Sequence, residues 1–261
     1  MNDLRLAVVT GGTGAIGGAI ARGIAATPNF ELLLLVRDET KGQRLAEEIR
    51  VITGNTHVRV ALVDLALHES IRKFASGLHE PVHVLINNAA IAPRSRQVTD
   101  EGREVQFATN VLGYYRLTLA LQPNLERAAE SRVVNVASYW AGDIDLDDLE
   151  FTRRRYDNNT AYRQSKQANR MLTVALAERF GACGISVNAC HPGDVNSTLS
   201  NALGFGGSES PEAGARTPLW LATSPQVQGT TGKYFAECRE EVCRFARDRA
   251  SIDRLVAACR S

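Results

Sequence analysis

The sequence predicts an α/β protein: a single domain over residues 1–261 built on one doubly wound parallel sheet of about seven strands, with helices on both faces. Three observations predict it. Short strand-like runs alternate with helical patterns along the whole chain. The strand runs are continuously apolar rather than alternating. No linker, repeat or second core interrupts them. Continuous apolar runs mark strands buried on both faces, the condition of parallel strands with helices packed above and below. A chain of 261 residues is long enough to bury one large core.

Each element follows from its local pattern. Leu4–Val9 is an apolar run ending in Thr10-Gly11-Gly12-Thr13-Gly14-Ala15-Ile16-Gly17-Gly18, after which an alanine-rich helical pattern runs to about Ala26. Glu31–Val36 is a second buried strand, followed by an amphipathic helix around Lys41–Arg50. Val58–Val63 is a third strand, ending at Asp64, and His68–Leu78 is helical. Val82–Ile86 is a fourth strand that opens onto Asn87-Asn88-Ala89-Ala90. Asp100–Leu121 reads as one long helix closed by Pro123, and Arg132–Val136 as a fifth strand ending at Ser138. The helix carrying Tyr162 runs through Phe180, and strand Ile185–Ala189 ends at His191-Pro192-Gly193. A helix near Pro211–Ala222 and a strand near Lys233–Ala236 close the pattern. Two segments break the rhythm. Residues 142–158 are acidic, then basic, and residues 194–210 are rich in Gly, Ser and Asn. Both follow the C-terminal ends of strands, where open α/β sheets bind ligands, so both are expected to be substrate loops.

Composition narrows the function classes. Lys and Arg number 30 against 29 Asp and Glu, so no overall field selects nucleic acid or an anionic membrane as partner. Cys183, Cys190, Cys238, Cys243 and Cys259 are odd in number and lack metal-ligand spacing, which points to reduced structural thiols and no metal site. Met1 leads almost at once into strand pattern without a basic-then-apolar leader, and the densest apolar run, Leu32–Val36, is far too short to cross a bilayer. The expectation is a cytoplasmic protein without a membrane anchor.

The chemistry centres on Tyr162 and Lys166. Four residues apart on a helix, they lie on one face, so phenol and ammonium point the same way. A free tyrosine titrates near about 10, and a nearby cation favours its phenolate, tuning it to exchange a proton with a carbonyl or hydroxyl oxygen. The turn after the first strand reads as G-x-G-x-x-G through Gly12, Gly14 and Gly17. Between a strand and a helix, such a turn offers backbone N–H groups and a helix N-terminus to a pyrophosphate, a Rossmann-like arrangement. The second strand ends at Val36-Arg37-Asp38, about where dinucleotide folds sense the adenosine ribose. A guanidinium there matches a 2′-phosphate, so NADP(H) is expected over NAD(H), with Asp38 adjoining as the group that could turn inward. Asp64 and Asn88 are short polar residues just past the third and fourth strands, at the same ligand edge.

Thr10 to Gly18, Asp64, Asn87-Asn88-Ala89, Asn110, Ser138, Tyr162-x-x-x-Lys166 and Pro192-Gly193 together resemble, in order and spacing, the short-chain dehydrogenase/reductase family. R-V-V-N-V-A-S, A-Y-R-Q-S-K-Q-A-N, H-P-G-D-V, S-P-E-A-G-A-R-T and G-K-Y-F-A-E-C look like its branch of retinol dehydrogenases and WW-domain oxidoreductases. The resemblance covers about residues 5–240. It implies that Tyr162 is the proton donor or acceptor, and that Lys166 lowers its pKa and holds the nicotinamide ribose. It implies that Ser138 donates to the substrate oxygen and that Asn110 holds a water linking Lys166 to solvent. Gly11, Thr13, Gly14, Ile16, Gly17, Arg37, Asp64, Asn88 and Ala89 would bind the cofactor, with Pro192, Gly193 and Val195 beside the nicotinamide and Ser197 closing over the phosphates. The sequence departs from the family turn T-G-x-x-x-G-x-G at Ala15, and from N-N-A-G at Ala90.

The function these residues imply is NADP(H)-dependent transfer of a hydride between the nicotinamide and a small-molecule carbonyl or secondary alcohol. Two alternatives belong to other classes: a non-catalytic NADP(H)-binding regulator or scaffold, and a sugar-nucleotide epimerase. Arg94 and Arg96 are expected to join the two loops around the substrate, whose identity stays open between a retinoid-like lipid and a small polar carbonyl. The family often pairs the helices around 103–121 and 160–180 across a two-fold, giving a homodimer or homotetramer, but Arg103, Arg116 and Arg170 leave those faces ambiguous.

Overall fold

A computed structural model describes residues 4–260. Its strands are β1 (Arg5–Thr10), β2 (Phe30–Val36), β3 (Val58–Leu62), β4 (Val84–Asn87), β5 (Arg132–Val136), β6 (Ser186–Cys190), β7 (Tyr234–Ala236) and β8 (Arg239–Glu241). They form one sheet in the order β3-β2-β1-β4-β5-β6-β7-β8, parallel through β7, with β8 antiparallel at the far edge. The order reverses between β1 and β4, where the chain leaves a crevice at the C-terminal strand ends.

Alternate side chains of a strand point to opposite faces, and β1 divides accordingly. Leu6 and Val8 enter one core with Leu33, Leu35, Leu85 and Val133, whereas Ala7 and Val9 enter the other with Leu32, Leu34, Ile86 and Val134. Burying each such leucine, isoleucine or valine is worth about 1.5–3 kcal/mol, so these runs are held from both sides at once. The first core is covered by α3 (His68–Gly77), α5 (Gly113–Ala120), α7 (Asn158–Phe180) and α10 (Arg249–Arg260). The second is covered by α1 (Ala15–Ala26), α2 (Glu39–Thr53) and α9 (Pro211–Thr223). No helix among the described residues is long and apolar enough to cross a membrane.

Three elements differ from the sequence reading. The sheet has eight strands rather than about seven: Arg-Glu-Glu of β8 is exposed and carries no apolar run. The pattern does not close at residue 236, because α10 follows and sinks Ile252, Leu255 and Cys259 into the first core. The expected helix 100–121 is broken. Gly102 takes φ +79° and Val98 bridges Glu104, so helix begins only at α4 (Val105–Phe107). A π-helical turn follows at Ala108–Leu112 before α5. The backbone then pauses at Leu121, and Pro123 sits in the first turn of α6 (Gln122–Arg127), where its missing N–H costs nothing. The arginines that left the outer helix faces ambiguous find partners within the chain: Arg103 with Glu150 at 3.3 Å, Arg116 with Glu101 at 3.7 Å, and Arg170 stacked 3.6 Å from the Tyr234 ring centroid.

Candidate active site

The crevice is a cleft of about 480 Å³ whose walls are the strand ends themselves. At its base the glycine-rich turn is fastened to the end of β4. Asn88 N–H donates to Thr10 Oγ1 at 2.9 Å, Ala89 N–H to the same oxygen at 3.0 Å, and Asn88 Nδ2 to the Thr10 carbonyl at 3.0 Å. This leaves no room for side chains on the inner side of the turn. Gly11 has φ +67° and lies against Ala89, and a methyl on Gly17 would overlap the Gly11 carbonyl. Gly14, the N-cap of α1, is exposed and faces the cleft, as do Thr13, Ala15 and Ile16. The N-terminus of α1 therefore opens onto the cleft with no side-chain cap, which suits an anionic group. Ala15 departs from the family turn without closing it.

At the end of β2, Arg37 is exposed, lines the cleft and has no ion pair among the described residues. Asp38 also borders the cleft, but its carboxylate is turned to α2, accepting from Lys41 N–H at 3.0 Å and pairing with Lys41 Nζ at 3.1 Å. The Lys41 backbone N–H and ammonium hold its pKa below the usual carboxylate value. Asp64, expected to contact the cofactor, does not line this cleft. Its Oδ1 accepts from Ala66 N–H at 2.9 Å, closing the turn after β3, and its neighbours Val63 and Leu65 face the cleft instead.

Tyr162 and Lys166 meet on the floor. Tyr162 is 7% and Lys166 2% exposed, and both border the cleft. Lys166 Nζ donates to the Val136 carbonyl at 2.8 Å and stands 5.6 Å from the Tyr162 ring centroid. Ser138 lies just past β5, accepts at Oγ from Trp140 N–H at 3.1 Å, and interacts with the Tyr162 phenol, favouring its ionised form. The expected lowering of the Tyr162 pKa by Lys166 is not found. Burial wins, pushing the phenol up to about 12, and burial also pushes Lys166 down to about 7. Asn110 stands in the π-helical turn, fully buried rather than on a helix surface. Its Oδ1 accepts from Ile91 N–H at 2.9 Å, and its Nδ2 donates to the Ile91 carbonyl at 3.0 Å and to Ser165 Oγ at 3.3 Å. It ties the loop after β4 to α7. Single π-turns inside helices recur at functional sites.

The loops after β5 and β6 behave differently. Residues 142–157 form a strap rather than a wall of the cleft: Asp148 accepts from Thr152 and Arg154 N–H groups, Gln164 Nε2 donates to the Leu149 carbonyl, and Asp147 pairs with Arg254 of α10. Arg96 is spent on this strap, donating to the Glu150 carbonyl at 2.9 Å. From the second loop, Pro192 and Ser197 border the cleft, whereas Gly193 (φ +98°, against Glu209) and the buried Val195 do not. Ser197 caps the short α8 (Thr198–Ala202) in a mutual bond with Ser200, and Leu199 and Leu203 pack on Tyr162 with Trp140 and Ala92. Phe205 meets Trp140 edge-on at 5.2 Å between ring centroids. Thr109, Lys41 and this aromatic group were not singled out from the sequence. Trp140 and Phe205 are 65 positions apart, so only their position on two loops at one sheet edge could have suggested them. No group of three or more His, Cys, Asp or Glu among the described residues could hold a metal ion.

Comparison with known proteins agrees with this geometry. The short chain dehydrogenase family profile matches residues 5–204. Retinol dehydrogenase 13 of Homo sapiens is 36% identical over 248 residues, covering 87% of this chain and 75% of that protein. A solved structure of an uncharacterized protein from Mycobacterium paratuberculosis superposes with TM-score 0.81 at 31% identity, covering 98% of this chain and 91% of that one. A structure from Beutenbergia cavernae, described as an NAD(P) dependent gluconate 5-dehydrogenase with bound NADP at low occupancy, gives TM-score 0.73 at 27% identity over 89% of this chain and 94% of its own.

Proposed function

Since this chain belongs to the short chain dehydrogenase family, in its retinol dehydrogenase branch, we propose that it is an NADP(H)-dependent oxidoreductase acting on a small-molecule carbonyl or secondary alcohol. The observation that carries this reading is that Tyr162 and Lys166 border a cleft whose base is the glycine-rich turn, with the Ser138 hydroxyl interacting with the Tyr162 phenol.

The residues present suit a nicotinamide nucleotide. The turn offers an uncapped helix N-terminus and an exposed Gly14 to a pyrophosphate. Arg37 is an unpaired guanidinium at the ribose-sensing position, and Asp38, the group that would favour a free 2′-hydroxyl, is engaged with Lys41. Bound there, the nucleotide would supply or accept the hydride. Tyr162 would pass its proton to the substrate oxygen in reduction, and Ser138 would donate to that oxygen as charge develops on it. Lys166 would support the phenolate left behind. Asn110 would keep the loop after β4 and helix α7 in register beneath the site. Leu199, Leu203, Trp140 and Phe205 would exclude water from above.

The test is Tyr162→Phe, which removes the proton and keeps the ring. On any substrate found in a panel of aldehydes, ketones and alcohols, we expect turnover, read by nicotinamide absorbance, to fall at least about a hundredfold, the scale of one general acid. NADPH binding should be retained. Wild-type turnover in this variant would remove Tyr162 from the role. Saturable cofactor binding with no activity across the panel would favour a binding protein instead.

A further inference from the structure

Tyr114, in α5 one helical turn beyond Asn110, takes no part in the mechanism above, yet it is buried against the same ammonium. Its ring centroid is 5.6 Å from Lys166 Nζ, the same distance as that of Tyr162, so the cation has aromatic faces from two different helices. Tyr114 is 2% exposed, and its hydroxyl is buried with no hydrogen-bond partner. The ring is therefore placed by packing, not by its polar end. Lys166 makes one hydrogen bond, to the Val136 carbonyl of β5, and pairs with no carboxylate among the described residues. The remaining titratable group that bears on it is Cys190 of β6, which burial keeps as a neutral thiol. A buried ammonium without a counter-ion is costly unless something compensates its charge. An aromatic face does so through its quadrupole, and without taking up an N–H donor as a carboxylate would.

We propose that Tyr114 is a positioning residue for Lys166: its ring holds the lysine in the charged form that the Tyr162–Lys166 pair requires, in place of a carboxylate, and leaves the ammonium donors not engaged by Val136 free to face the cleft. The inference rests on the reading of Tyr162 and Lys166 as the proton-handling pair. It bears on the pH range over which that pair works, because burial draws Lys166 down to about 7 and any loss of compensation draws it lower.

The chain contains four lysines, Lys41, Lys73, Lys166 and Lys233, and the other three are exposed. Nuclear magnetic resonance of the full-length protein, labelled only at lysine and without ligand, would therefore titrate Lys166 directly, its signal identified by its absence in Lys166→Arg. In Tyr114→Leu we expect the Lys166 pKa to fall by about one unit, the shift a desolvated cation–π contact supplies. In Tyr114→Phe, which keeps the ring and removes the stray hydroxyl, the value should stay within roughly 0.3 units of wild type on the same reasoning. Water entering a cavity left by the smaller side chain would raise the pKa, so the sign separates the proposal from simple loosening. Should the leucine variant not fold, Tyr114→Met fills more of the space and carries the same expectation. An unchanged or raised Lys166 pKa in the leucine or methionine variant, or a fall in Tyr114→Phe as large as theirs, overturns the proposal. Because the titration needs no turnover, such a failure would leave the assignment of Tyr162 standing, and loss of that assignment would not alter the titration.

Discussion

Two glycines of one turn are expected to fail in different ways. A methyl at Gly17 would overlap the Gly11 carbonyl, come within 2.8 Å of its carbon, and come within 2.6 Å of Asn88 Nδ2; the carbonyl is backbone and cannot swing aside. Overpacking of this kind costs about 1–3 kcal/mol, and displacing Asn88 from the Thr10 carbonyl forfeits a further ~1 kcal/mol. Gly17→Ala should therefore lose roughly 2–4 kcal/mol of folding stability, or on the order of 5–15 °C in Tm for a chain of this size. A methyl at Gly14 meets only the Gly11 carbonyl oxygen at 3.4 Å, and its backbone (φ −84°, ψ 169°) is open to alanine. Gly14→Ala should cost under about 1 kcal/mol, mainly through the weaker N-cap. The same methyl would project into the cleft, so we expect NADPH affinity to fall at least about tenfold, equivalent to 1.4 kcal/mol. Thermal or urea unfolding without ligand gives the first quantity, and fluorescence titration with NADPH the second. Equal stability losses in the two variants, or a Gly14→Ala protein that binds NADPH like wild type, would refute the assignment of which glycine packs and which one faces the ligand.

Arg37→Ala should weaken NADPH binding about tenfold or more while leaving NADH nearly unchanged, since on the proposed reading it removes a charge-assisted contact to the 2′-phosphate; parallel loss for both nucleotides in the titration would contradict it. The pH dependence of folding should carry the signature of His191, which burial pushes down to about 4 from the usual 6.5. Between those values the unfolded chain binds the extra proton and the folded one does not, so stability should fall as pH drops from about 6.5 towards 4. In His191→Gln that part of the slope should vanish from urea unfolding measured across the window, and an unaltered slope would place its origin elsewhere.

How much could be seen beforehand depended on whether the controlling interaction was local. The central parallel strands were legible because their apolar runs are buried on both faces, the edge strand β3 by its apolar residues although it is only partly buried, and Tyr162 and Lys166 because four residues on a helix fix a shared face. The broken helix at 100–121 was not, since its apolar spacing continues across the π-turn and across Leu121, and no residue there announces the change of register. β8 escaped because its three charged residues carry no apolar pattern and join the sheet through backbone pairing with β7. α10 carried a signal that could have been read: Ile252, Leu255 and Cys259 recur at helical spacing after Asp248, which accepts from Ser251 N–H as a helix start. Asp64 and Asp38 look like ligand-facing carboxylates in sequence, and only the structure shows each one bonded to backbone N–H groups of its own turn. The direction of the Tyr162 shift was also beyond the sequence, because it depends on how deeply both groups are buried and not on their spacing.

The capping role of Asp38 bears on any attempt to retarget the coenzyme. An engineer seeking to change which nucleotide binds would be drawn to this acidic side chain, yet replacing it also removes the bond that starts α2. Selectivity and thermal robustness would then change together, and neither could be interpreted alone. The guanidinium one position earlier makes no ion pair among the described residues, so on the proposed reading it can be changed to adjust discrimination without loosening the frame.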